Sequence, residues 1–136
     1  MGYRSDVRIM TSRKGFEELK KYTDKYLKDN GWEGDNLLDH LKVDIRTSLA
    51  VYFGWDDIKW YEGIDSYANV NAVWQGLNYL AENDYSYRFT RLGEDYDDCE
   101  ERYHDAAEDE DLEFPSIIRK FDDEYTHDQM IEDECR

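Results

Sequence analysis

The first dozen residues open polar and then mix β-branched and charged positions. Val7-Arg8-Ile9-Met10 alternates, which predicts a first strand over about residues 3–10. Thr11 and Ser12 are N-cap types and introduce a helix over about residues 14–29. Phe16, Leu19, Tyr22, Tyr26 and Leu27 recur on one face of it. Asn30-Gly31 is the stop, because glycine takes the left-handed C-cap conformation at low cost. Asn36 to Leu41 predicts a short helical turn. The apolar run Leu49-Ala50-Val51-Tyr52-Phe53-Gly54-Trp55 has the length of a strand. Asp56-Asp57 breaks it, and Ile58-Lys59-Trp60-Tyr61 reads as the returning arm of a hairpin.

A second helix is predicted over about residues 70–82, where Val70, Val73, Trp74, Leu77 and Leu80 recur at three- and four-residue spacing. Asp65, Ser66 and Asn69 are its candidate caps. From Tyr85 to Leu92 the alternation is clean. Tyr85, Tyr87 and Phe89 fall on one face and Ser86, Arg88 and Thr90 on the other, the mark of a half-buried strand. Further short strands are expected at Tyr96 to Tyr103 and at Pro115 to Phe121. The order strand, helix, strand, strand, helix, strand predicts an α+β protein. The expected form is a ferredoxin-like two-layer sandwich (β-α-β-β-α-β) with an acidic β-rich C-terminal extension.

Composition sharpens this picture. At 136 residues the chain has the length of one domain. Its charge is high, but 15% of its residues are aromatic, which argues for a packed fold rather than an acidic disordered chain. The single proline, Pro115, leaves no Pro-rich linker. Cys99 and Cys135 form neither a disulfide framework nor a CxxC metal knuckle, and both are expected as free thiols in a reducing cytosol. No run approaches the roughly 20 apolar residues of a membrane span. Met1 to Asp6 holds no apolar signal core, so a cytoplasmic protein is expected.

The net charge is -17, and its distribution is uneven. Residues 1–93 carry 15 acidic and 13 basic side chains, whereas residues 94–136 carry 19 and 4. The expected organisation is a balanced body, 1–93, with an acidic extension, 94–136, packed on the same domain. This charge argues against a protein that grips nucleic acid by its phosphates, and against docking on an anionic membrane.

Catalytic signatures are missing from the sequence. It holds no GxSxG, P-loop, HExxH, GxGxxG or EF-hand motif. Glu94-Asp95-Tyr96-Asp97-Asp98 comes nearest a calcium loop but lacks its central glycine and its twelfth-position glutamate. His40, His104 and His127 are scattered. Adjacent carboxylates arise here from composition alone, without the contrasting environments that split the pKa values of a catalytic pair. Neither an enzyme nor a cofactor is expected. Trp55, Trp60, Tyr61 and Trp74 read mainly as core, and Trp60-Tyr61, placed at a hairpin end, as the most exposed aromatic spot.

A dense row of carboxylates costs stability through self-repulsion, and solubility needs far less charge. A basic protein partner is the sharper explanation. Carboxylates on a rigid strand can enter a Lys- and Arg-lined groove that otherwise holds nucleic acid, with fast and salt-sensitive association. On this DNA-mimic reading the partner-binding residues are Glu94, Asp95, Asp97, Asp98, Glu100 and Glu101, then Glu108, Asp109, Glu110 and Asp111. Tyr96 and Tyr103 would be flanking anchors. Near the N-terminus, Arg4 is expected to pair with an acid of the body and Ser5 to close a turn.

Three segments carry a resemblance: Gly2-Tyr3-Arg4-Ser5-Asp6-Val7, Ile58-Lys59-Trp60-Tyr61, and Arg91-Leu92-Gly93-Glu94-Asp95-Tyr96-Asp97-Asp98. Together they resemble a family of small acidic bacteriophage and prophage proteins, mostly without assigned function. The likeness runs by landmark over roughly residues 1–103. Cys99 stands where that pattern has an aliphatic residue, which predicts a packed side chain. The resemblance implies a phage origin and supplies no catalytic residue. It implies an inhibitor of a bacterial defence system, first an anti-CRISPR protein bound to a Cas effector, then an anti-restriction protein. The alternative is a phage accessory or regulatory binding module without nucleic-acid mimicry.

Overall fold

The structure, a computed structural model, describes residues 4–60, 68–94, 98–104, 123, 126–127 and 130–131. The fold is α+β. In chain order it contains β1 (Ser5–Ser12), α1 (Arg13–Asp29), a 3-10 turn (Leu37–Asp39), β2 (Val43–Arg46) and β3 (Ala50–Ile58). After these come α2 (Ala68–Glu82), β4 (Tyr87–Gly93) and β5 (Cys99–His104). The strands form one antiparallel sheet in the order β2-β3-β1-β4-β5, so β1 lies at its centre.

Local chemistry sets the helix ends. The Ser12 hydroxyl accepts from the Gly15 amide at 3.0 Å and caps α1, as its position predicts. At the other end Gly31 has φ +66°, and the Trp32 amide donates back to the Leu27 carbonyl. Asn69 is not the cap of α2 but lies within its first turn, because the helix already runs at Ala68. Asp65 and Ser66 lie outside the described residues.

Both helices lie on one face of the sheet. Val7, Ile9, Val51, Phe53, Trp55, Tyr87 and Phe89 point up from three strands. Phe16 and Leu19 of α1 and Val70, Val73, Leu77 and Leu80 of α2 come down onto them. Period two in the strands meets period 3.6 in the helices, and the main core forms where those apolar stripes face each other. On the opposite face Met10, Ala50 and Tyr52 form a smaller cluster with Met130, flanked by Val43 and Ile45.

The stretch 43–60 departs from the sequence-based expectation. The hairpin partner of β3 is β2, whose four residues are too few for their alternation to stand out. Thr47 closes the turn, its hydroxyl accepting from the Leu49 and Ala50 amides. Asp56-Asp57 does not end the strand. Ser5 pairs with Ile58 and Val7 with Trp55, so β3 carries one extra residue there, a β-bulge. Asp57 takes φ +55°, a left-handed conformation that Asp tolerates better than most residues. The Asp6 carboxylate accepts from the Asp57 amide at 2.9 Å, and Arg4 donates to the Asp57 carbonyl at 2.9 Å. Arg4 Nε also lies 3.9 Å from the Asp57 carboxylate, so Arg4 pairs with an acid of the body. Ser5 is a buried strand residue rather than a turn residue.

Trp60 is likewise not exposed. It is 5% accessible and lies 5.8 Å from the Trp55 ring and 5.7 Å from Phe89, inside the main core. A chain that continues past the bulge instead of reversing carries Trp60 onto the helix side. Tyr61, the expected strand at Pro115 to Phe121, and Cys135 lie outside the described residues. No helix among the described residues is long and apolar enough to cross a membrane.

Candidate functional site on the acidic edge

β4 and β5 pair antiparallel, with Leu92 opposite Cys99, Arg91 opposite Glu100, Thr90 opposite Glu101 and Arg88 opposite Tyr103. The Gly93 amide donates to the Asp98 carbonyl at 2.8 Å and holds the two strands together at the turn. The pleat then deals the side chains of β5 alternately to the two faces. Glu100, Arg102 and His104 fall on the helix side; Cys99, Glu101 and Tyr103 point the other way.

On the helix side the acids meet internal cations. Arg91 donates to both carboxylate oxygens of Asp98, at 2.8 and 3.1 Å, to Glu100 at 3.3 Å and to the Ser5 hydroxyl at 3.1 Å. The Asp98 hydrogen bonds dominate over burial and hold the Arg91 guanidinium above its ordinary pKa. A planar fork against a carboxylate is the strongest common ion-pair geometry. Two acids of the predicted strip therefore neutralise a cation of their own chain. The ladder sets Glu100 directly opposite Arg91, and Asp98 reaches the same guanidinium from just before β5.

Arg102 and His104 are also engaged. The Arg102 guanidinium stacks 4.3 Å from the Trp74 ring and donates to Asn78 at 3.0 Å, tying β5 to α2. His104 Nε2 lies 3.0 Å from an Asp84 carboxylate oxygen at the end of α2.

The outward face differs. Tyr103 is 67% accessible, with the Arg88 guanidinium 4.9 Å from its ring. Glu101 and Glu94 are exposed. Cys99 is exposed too, against the expectation of a packed residue: it lies on β5, the edge strand of the sheet, with its side chain on the face away from the helices. Among the twelve residues predicted to bind a partner, Glu94, Asp98, Glu100, Glu101 and Tyr103 are described. Asp95, Tyr96, Asp97 and Glu108, Asp109, Glu110 and Asp111 lie outside the described residues. Arg88, beneath Tyr103, is not marked out by the sequence. A lone arginine in an alternating strand carries no signal of the ring it will stack on.

Among the described residues no three His, Cys, Asp or Glu side chains come together as a possible metal site. Compared with protein-family models, curated proteins and solved structures, the chain matches none.

Proposed function

We propose that the protein is a binding protein, not an enzyme, that inhibits a bacterial defence effector by occupying its cationic nucleic-acid groove. A Cas effector is the first candidate, which makes the protein a phage-encoded anti-CRISPR; a restriction enzyme is the next. The observation that carries this reading is the charge asymmetry, with a net of -15 over residues 94–136 against -2 over the rest. Its body is read as a ferredoxin-like two-layer sandwich to which β5 is added. The five-strand order departs from the four-strand plan by that added strand.

Pairing within the chain redistributes the proposed contacts. Arg91 takes up much of the charge of Asp98 and Glu100, so Glu94, Asp95, Asp97 and Glu101 become the leading acids, followed in rank by Glu108 to Asp111. Tyr103, on the outward face, is the aromatic anchor, in keeping with the enrichment of tyrosine at binding hot spots.

A salt-graded pull-down tests the proposal. Tagged protein is incubated with lysate of bacteria carrying active CRISPR–Cas and restriction systems, and bound proteins are identified by mass spectrometry. The groove-blocking reading expects a basic nuclease or Cas effector captured at low salt, released at high salt, and lost on combined charge reversal of Glu94, Asp95, Asp97 and Glu101. Capture that survives both treatments and fails on Tyr103→Ala would replace it with an accessory binding module. The high exposure of Tyr103 is the observation that favours this second reading.

A further inference from the structure

A buried cation lies on the other side of the sheet from the helices. The side chain of Arg8, at the centre of β1, is 4% accessible. Every one of its five N–H groups has an acceptor. Nη1 donates to the Val7 and Trp55 carbonyls, each at 3.0 Å. Nη2 reaches Asp56 at 2.8 Å. The remaining edge, Nε and Nη2, forms a fork on the two carboxylate oxygens of Asp123, at 3.1 and 3.2 Å. The Tyr52 hydroxyl donates to the same carboxylate.

These contacts divide into two sets. The two carbonyls and Asp56 belong to β1 and β3, and they orient the guanidinium whether or not Asp123 is present. The bulge at Asp56-Asp57 turns the Asp56 carboxylate towards Arg8, a common use of such irregularities. Gly54 leaves the space, since a Cβ there would overlap the Val7 carbonyl oxygen and stand 3.0 Å from the Arg8 side chain. Arg8 and Asp56 alone make a neutral pair, so the cation stays compensated without the second acid.

Asp123 belongs to the other set. It comes from a segment 115 residues further along the chain. Asp123, Thr126 and Met130 are helical and spaced i, i+3 and i+7, which puts them on one side. Thr126 and Met130 are buried, whereas His127 and Ile131 are exposed, so that side faces the sheet. Met130 packs with Met10, Ala50 and Tyr52.

The geometry points to a carboxylate receptor, preformed by Arg8 and Tyr52 on the second face of the sheet, which Asp123 occupies as a releasable lock on the C-terminal segment. Its ligand class is a planar carboxylate that accepts a two-pronged guanidinium contact and one phenolic hydrogen bond. A carboxylate supplied in trans competes with Asp123, and release uncovers Met10, Ala50 and Tyr52. The inference does not depend on the proposed inhibitor function.

Asp123→Ala tests it by chemical rescue. The full-length variant is expected to fold with a lowered Tm, and amide exchange at Thr126 and Met130 to quicken at least about tenfold, as loss of a charged hydrogen bond implies. Formate or acetate at ~0.1 M raises the Tm of the variant by more than it raises that of the wild type, with chloride at equal ionic strength as the control. Tyr52→Phe, which keeps the ring packed, speeds exchange at the same two amides and leaves that of Ile9 and Phe53 unchanged. Equal carboxylate shifts in variant and wild type, failure of Asp123→Ala to fold, or unchanged exchange at Thr126 and Met130 would each overturn the proposal.

Discussion

Arg91 grips Asp98 through both ends of its guanidinium while sitting opposite Glu100 in the ladder, so the acidic edge carries its own counter-cation. This separates two kinds of carboxylate in one short stretch of chain. Asp98 and Glu100 hold the hairpin together, whereas Glu101 projects from it.

Asp98→Asn therefore lowers stability by about 1.5–3 kcal/mol, the usual range for a hydrogen bond to a charged group in a part-buried site. Glu101→Gln stays within about 0.5 kcal/mol, as exposed substitutions do. Urea unfolding of the two variants checks the contrast. Equal midpoints would show that Arg91 finds no net benefit in Asp98.

Trp60→Ala is expected to cost about 3–5 kcal/mol, the range for emptying a large aromatic site in a core. The ring lies between Trp55 and Phe89, and truncation removes one aromatic contact from each. Guanidinium unfolding followed by far-UV circular dichroism reads the loss. A variant as stable as the wild type would return Trp60 to the surface.

Gly54→Ala is predicted to be worse than its single methyl suggests, at about 3 kcal/mol or more, because the obstacle is backbone rather than a side chain that can move aside. A thermal melt measures it. A change below about 1 kcal/mol would mean that β1 and β3 can separate there without penalty.

Alkaline pH probes the second face of the sheet. Burial first, then the hydrogen bond to Asp123, hold the Tyr52 phenol far above its ordinary pKa. An unfolded chain would lose that proton near pH ~10, whereas the folded one keeps it. The resulting stability is fully present below pH ~10 and declines as the pH rises beyond it, since the unfolded state then binds fewer protons. Melts from neutral to strongly alkaline pH, compared with Tyr52→Phe, isolate this contribution. A wild type and variant that lose stability in parallel would remove Tyr52 as the cause.

Periodicity made much of this fold legible. Ser12 and Gly31 marked the ends of α1, and Val70, Val73, Leu77 and Leu80 marked the buried side of α2. Tyr87 and Phe89 gave the core face of β4. Where a single residue changed direction the pattern failed. Asp56-Asp57 resembles a turn by composition, yet Asp6 and Arg4, some fifty positions earlier, stabilise a bulge there instead. The same bulge puts Trp60 in the core, where composition alone places it at a hairpin end.

The candidate site was legible in charge and illegible in pairing. A count of acids locates the 94–101 stretch. It cannot show that Arg91 faces Glu100 or that Cys99 points outward, because the β4–β5 register decides both. Arg8 is the extreme case. In sequence it is one polar residue in an alternating strand, and its partner Asp123 lies too far along the chain for any local pattern to join them.

The central place of β1 also governs how the chain can assemble. Its two neighbours in the sheet, β3 and β4, are finished only by Ile58 and Gly93. During synthesis the first strand emerges with both of its edges bare and waits for roughly 80 further residues, about 4–16 s at common translation rates of 5–20 residues per second. Pairing at such separations is intrinsically slow, and a bare strand of Val7, Ile9 and Met10 is open to intermolecular association in that interval. The charges at Asp6, just before those apolar residues, and at Arg8, between Val7 and Ile9, are then the protection the nascent strand carries within itself.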